Sequence, residues 1–190
     1  MPARVQSPQT VVQGLSEVFR EYGFAGASLA HISAATGLGK GSLYHAFPGG
    51  KEEMAGAVLN DIDTWFENHV FQPLDDKNIQ PALAVQDMLQ ACMTYFQCGG
   101  RVCLVGVFAL SDTRDTFGAA VNGYFLRWNT ALVAALCRGG VKKAVAEDLA
   151  EETLSRIQGG LVLARAFDDK SYFEREIKRL SQRLKSALEL

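Results

Sequence analysis

The chain is expected to be all-α, with three short helices at its N-terminal end and longer ones after them. Three observations carry this expectation. Apolar residues recur at helical spacing along the whole length, no stretch shows the sustained apolar–polar alternation that flanks hairpin turns, and Gly and Pro fall where the periodic runs end. The 190 residues, 48% apolar and 21% charged, are enough to bury a real core and too apolar for disorder over most of the length.

The first helix is expected from Pro8 to Tyr22. Val11, Val12, Leu15, Val18 and Phe19 share a face, Pro8 fits the first turn, and Gly23 is placed to end it. Ser28 then caps a short second helix, "LAHISAAT", with Leu29, Ile32 and Ala35 on one side and Gly37 as its stop. A third, "KGSLYHAF", ends at Pro48, Gly49 and Gly50. A fourth is expected from Lys51 to about Phe71 with Met54, Val58, Ile62, Trp65 and Phe66 inward, broken by Pro73. Later helices are expected at about 81–97, 104–110, 113–137, 143–167 and 171–188. No repeat or low-complexity segment interrupts them.

The segment "GLGKGSLYHAF" concentrates unusual chemistry. In the third helix Leu43 and Phe47 point to one side and leave Lys40, Gly41, Ser42, Tyr44 and His45 on the other. Two short helices joined by a tight glycine turn, with a first helix before them, fit a helix-turn-helix unit over residues 1–50. Gly41 removes a side chain where a helix must approach DNA closely. Ser42 and His45 can reach base edges, and Lys40, Tyr44 and Lys51 can bind phosphates. The competing reading has Tyr44 and His45 closing a small core and Lys40 as a solvated charge; the surrounding helices favour DNA. Through Lys51 the charge is +2 and over the remainder −4, a faint asymmetry in the same direction.

The stretch "EVFREYGFAGASLAHISAATGLGKGSLYHAFPGGKEEM" resembles the DNA-binding domain of the TetR family of transcriptional repressors nearly position by position, and the rest of the chain matches in layout. The resemblance makes Ser28 to Thr36 the bracing helix and Lys40 to Ala46 the recognition helix. It adds Ser28 and His31 to the expected DNA-contacting residues Lys40, Gly41, Ser42, Tyr44, His45 and Lys51. Three positions depart from the family pattern: Gly39 where a Ser or Thr cap is common, His31 in place of a frequent acid, and a second Gly in "FPGGKEE". That variant and "CLVGVFAL" resemble the LmrA-type branch, which implies a small apolar or aromatic inducer.

By the same resemblance, residues 51–190 form a helical ligand-binding and dimerisation domain. Phe173, Ile177, Leu180 and Leu184 make one apolar stripe, and Leu149, Thr153, Ile157, Leu161 and Ala164 another beside Gly159 and Gly160. Such stripes are more often internal core than interface, yet two late helices suit a homodimer on a palindromic double-stranded operator. For the inducer, Phe117, Val121, Phe125 and Trp128, with Asn122 as a polar group, could combine with Trp65, Phe66, Phe96 and Phe108 to line a cavity. Each aromatic alone reads as ordinary core.

Cys98 and Cys103 bracket a turn holding Arg101, which offers a thiol-based redox or electrophile sensor as the alternative. Cys as a small buried apolar residue is the commoner use. No GxSxG, P-loop or dinucleotide fingerprint points to an enzyme, no spacing supports a metal, and no cofactor is implied. The chain carries no apolar leader core and no bilayer-length apolar run, so a cytoplasmic location without membrane contact is expected.

Overall fold

The structure, a computed structural model, describes residues 7–111 and 113–189. Arg4, which contributes to the charge asymmetry, lies outside them. Among the described residues there is no strand, and no helix is long and apolar enough to cross a membrane. The chain folds as two compact units, Met1–Asp63 with Leu104–Val121, and Thr64–Cys103 with Asn122–Leu190.

In the first unit, α1 spans Pro8–Gly26, α2 Leu29–Thr36, α3 Lys40–Ala46 and α4 begins at Gly50. The Ser7 hydroxyl accepts the Thr10 N–H at 3.2 Å and starts α1. The regular helix stops at Gly23, as its position suggests, but one further helical turn follows to Gly26. Gly23 takes a φ of 66°, a conformation that a β-carbon resists, so the chain kinks here without ending.

Between α2 and α3, Gly37 has φ 65° and its N–H reaches the Ser33 carbonyl. The buried Thr36 hydroxyl donates to Ile32 O at 2.7 Å and accepts the Leu38 N–H at 3.3 Å, which closes the turn from within. α7, Leu104–Ala109, packs on α1. The Phe108 ring lies 6.1 Å from Phe19 and 5.1 Å from Phe117, and Phe24 lies 5.6 Å from Phe117. These edge-on aromatic contacts draw residues 104–121 into the same body as the first three helices, although the sequence reading grouped them with the C-terminal part.

The second unit departs from the expected run to Phe71. After α4, Gly50–Phe66, comes a π-helical turn, Glu67–Phe71, and then α5, Gln72–Asp75, so helical structure continues past Pro73. Pro73 sits in the first turn of α5, where a missing N–H costs least. Arg127 fixes the π turn: Nε and Nη2 donate to the two Glu67 carboxylate oxygens at 3.1 and 2.9 Å, and Nη1 pairs with Asp75 at 2.7 Å. Its guanidinium also lies over the Phe71 ring at 5.4 Å. The Glu67 hydrogen bond, aided by Asp75, raises the Arg127 pKa above its ordinary value.

α6 runs Pro81–Tyr95, followed by a 3₁₀ turn at Gln97–Gly99; α8 is Arg114–Arg138, α9 Lys143–Ala166 and α10 Lys170–Leu188. α10 packs on α9 and α6. Both apolar stripes noted above are buried within this single chain: Phe173, Leu180, Ile157 and Thr153 are completely inaccessible. Gly160 serves the same packing, since a β-carbon there would stand 3.2 Å from the Phe173 ring, whereas one on Gly159 meets nothing within 4 Å. Glu176 ties α10 to α9 through Arg156, at 2.9 Å, and also pairs with Arg179. Burial opposes ionisation of Glu176, but the hydrogen bonds from Arg179 and Arg156 win and hold its pKa below the usual carboxylate range.

Candidate nucleic-acid interface

α3 is seven residues long and has one fully buried side chain, Leu43, with Phe47 half-buried at its end. The rest of the helix faces outward: Lys40, Gly41, Ser42, Tyr44 and His45 are exposed, Tyr44 to 42%. None of these side chains makes a hydrogen bond or ion pair with another described residue. A β-carbon built on Gly41 meets nothing within 4 Å, so packing inside the protein does not require glycine there. Gly39 caps the helix with its backbone alone. Polar groups held on a short rigid helix with no internal partner are free for an outside one.

The surrounding charge has the same sense. From Tyr22 through Lys51 the sequence contains no Asp or Glu, while Glu52 and Glu53 follow at once in the first turn of α4. Glu53 accepts the Gly49 N–H at 2.6 Å and so anchors the glycine link after α3.

The other expected DNA-contacting residues are used differently. The Ser28 hydroxyl accepts the His31 N–H at 3.2 Å, and His31 Nδ1 accepts the Ser28 N–H at 3.5 Å. This is a reciprocal capping box in which His replaces the usual Glu or Gln. Lys51 is half-buried: its ammonium lies 3.3 Å from Ala27 O, 3.5 Å from Ala25 O and 4.6 Å from the Phe24 ring. The end of α1 presents carbonyls and an aromatic face that hold this ammonium in place beside the start of α4.

The nine residues expected to line an inducer cavity divide between the two units. Phe108, Phe117 and Val121 belong to the first, and all three are buried. In the second, Phe66, Phe96 and Trp128 are fully buried; the Phe66 ring lies 5.3 Å from Trp128 and 4.8 Å from Tyr95. Trp128 Nε1 donates to Met88 sulfur at 3.3 Å. Trp65 is half-buried and stacks on His69 with centroids 4.4 Å apart, and Phe125 is half-buried. Asn122 is exposed, a correction with a simple cause: Val121, Tyr124 and Trp128 define the buried face of α8, and Asn122 falls off it. The rings of the second unit are therefore packed against one another as core. A cleft in this unit, lined by Leu83, Val85, Leu89, Ser181 and Leu188, holds only about 140 Å³, well below the size of a drug-like ligand site.

The thiol reading is not supported. Cys98 is exposed and Cys103 buried, neither is in a disulfide, and Cys103 lies close enough to Cys92 to act on its thiol. Burial, reinforced by Cys103, pushes the Cys92 thiol far up, which is the signature of an inert structural cysteine.

Comparison with known proteins divides the chain between residues 58 and 81 and so groups residues 104–121 with the C-terminal part. Residues 12–58 match the model of the bacterial regulatory proteins of the tetR family, and residues 81–178 match that of the transcriptional regulator LmrA/YxaF-like C-terminal domain. The chain is 27% identical to the HTH-type transcriptional repressor DhaR of Mycobacterium sp. (strain GP1) over 80% of its own length and 77% of the relative's. A TetR transcriptional regulator of Legionella pneumophila superposes with a TM-score of 0.80 at 20% identity, covering 94% of this chain and 98% of that one. A cysteine mutant of the regulator CifR, complexed with 26-bp operator DNA, superposes with a TM-score of 0.69 at 22% identity, covering 98% of this chain and 97% of that one. The chain is therefore a regulator of transcription and not an enzyme, and it belongs to the TetR family, with a C-terminal domain of the LmrA/YxaF-like type.

Proposed function

We propose that the protein is a repressor that binds a palindromic double-stranded operator as a homodimer and is released by a small apolar or aromatic inducer. The observation that carries the DNA half of this reading is α3: one buried anchor, Leu43, and an outer face of Lys40, Ser42, Tyr44 and His45 with no partner among the described residues. In the docking mode of helix-turn-helix proteins, α3 enters the major groove and α2 crosses the backbone, with half-sites about 34 Å apart for one turn. Gly41 then permits close approach, Ser42 and His45 reach base edges, and Lys40 and Tyr44 hold phosphates. DhaR is named a repressor, and CifR is described in complex with operator DNA; both support the reading for this chain.

For the dimer, the buried stripes of α9 and α10 are unavailable, so the pairing face is drawn from the outward side of α9, where Val145, Gly159, Val162 and Phe167 are exposed. For induction, α4 and α8 each contribute residues to both units, and an inducer acts only if it binds the DNA-incompetent state more tightly. The aromatic core around Phe66 and Trp128 must then open to admit it.

The test is binding of the purified chain to DNA from immediately upstream of its own gene, with salt titrated and mass determined in the same buffer. A dimer on one palindromic site, with affinity falling as salt rises, is the expected result. A monomer, or binding indifferent to sequence, overturns the reading.

A further inference from the structure

The Tyr22 ring, 48% exposed, stacks on the His31 ring with centroids 4.0 Å apart and planes 16° from parallel. His31 Nδ1 accepts the Ser28 N–H, so in the neutral ring the proton sits on Nε2, and that N–H has no partner among the described residues. An exposed tyrosine ring and a half-buried histidine ring are thus held in register at the start of α2 by a stack on one side and a backbone hydrogen bond on the other. A glutamate at this position would complete the same capping box. Histidine keeps the cap, removes a negative charge and turns an acceptor into a donor, inside the stretch that lacks carboxylates. Inside the chain the exchange gains the stack on Tyr22, and outside it the exchange suits an anionic partner beside α2.

We propose that Tyr22 is a positioning residue for DNA binding, holding the His31 ring so that Nε2–H donates to a DNA phosphate. This rests on the DNA-binding reading above. With Nδ1 taken by the Ser28 N–H, the ring offers the phosphate one N–H, a single hydrogen bond that carries none of the counterion release of a lysine or arginine contact.

The test uses the full chain and a labelled duplex that the wild type recovers from a randomised pool. Recovery of none overturns the DNA-binding reading and this proposal with it. Given a duplex, His31→Glu is expected to melt at or above the wild-type temperature and to bind about tenfold more weakly, by putting a carboxylate against a phosphate. Wild-type affinity in that variant means that His31 only caps α2, and overturns the proposal. His31→Ala is expected to lose about fivefold at every salt concentration, with the salt slope unchanged. Tyr22→Ala should match that loss, Tyr22→Phe should keep wild-type affinity, and the Tyr22→Ala, His31→Ala double variant should lose no more than either single one. Additive losses overturn the positioning role. Should His31→Glu fail to fold, a scan of the duplex with uncharged methylphosphonate linkages decides. One linkage per half-site should weaken the wild type and leave His31→Ala unaffected, and the absence of such a linkage overturns the contact.

Discussion

α3 and the aromatic interior of the second unit are both dense in polar-edged rings and unusual residues, yet they use them in opposite ways. In α3 one leucine is buried and every polar side chain is left without a partner among the described residues. Around Trp128 the reverse holds: Phe66, Phe71 and Tyr124 close over the indole, and its N–H is taken by Met88. The contrast teaches that a surface made for a partner shows itself by what it leaves unsatisfied, whereas rings that satisfy one another belong first to stability.

The largest effect that tests this contrast is Trp128→Ala, which should cost about 4 kcal/mol of folding stability in a thermal melt while the folded protein binds its duplex as before. A variant that melts normally would show that the indole fills a ligand space and not a core. Next, Glu176→Gln should cost about 2 kcal/mol by leaving Arg156 without its inter-helix partner. The Glu176 carboxyl titrates below its unfolded value, so its contribution is present above the ordinary carboxylate pKa and fades as pH falls through the lower folded value. Denaturant melts over the acid range should show this slope in the wild type and a shallower one in the variant.

On the other side of the comparison, Tyr44→Ala should weaken duplex binding by about 1–3 kcal/mol and leave the melt within about 0.5 kcal/mol of wild type. Loss of stability with retained binding would place Tyr44 with the core. The smallest effect is the most pointed: Gly41→Ala should raise stability by about 0.5–1 kcal/mol, because the helix gains a better former in open space, while DNA binding falls. A gain in both would remove the close-approach argument for that glycine.

Local signals made the first three helices legible. Ser28 caps α2, Gly37 ends it and Leu43 anchors α3 because each role depends on residues within a turn or two. The resemblance carried the family for the same reason, since its quoted residues lie almost entirely in that segment. What periodicity could not show was long-range. Nothing near Lys51 in sequence announces Phe24 and the carbonyls of Ala25 and Ala27. The union of residues 104–121 with α1 depends on rings some ninety residues apart, Phe19 with Phe108 and Phe24 with Phe117. Asn122 was a local error: its neighbours Val121 and Tyr124 already defined a buried face that excludes it. The His31 donor was half-visible, because the missing acid could be read from sequence but the Tyr22 stack could not.

The π-helical turn at Glu67–Phe71 has a consequence of phase. A π turn takes in one residue more than an α turn, so side chains before Glu67 and after Phe71 are offset by about 100° from where an unbroken α-helix would carry them. Phe66, Val70, Phe71 and Leu74 can all be buried on that account, and Arg127 clamps the offset by gripping Glu67 at its start and Asp75 beyond its end. Loss of a single residue in this turn would cancel the offset. Every side chain on one side of it would turn relative to the other, so this stretch tolerates substitution far better than a change in length.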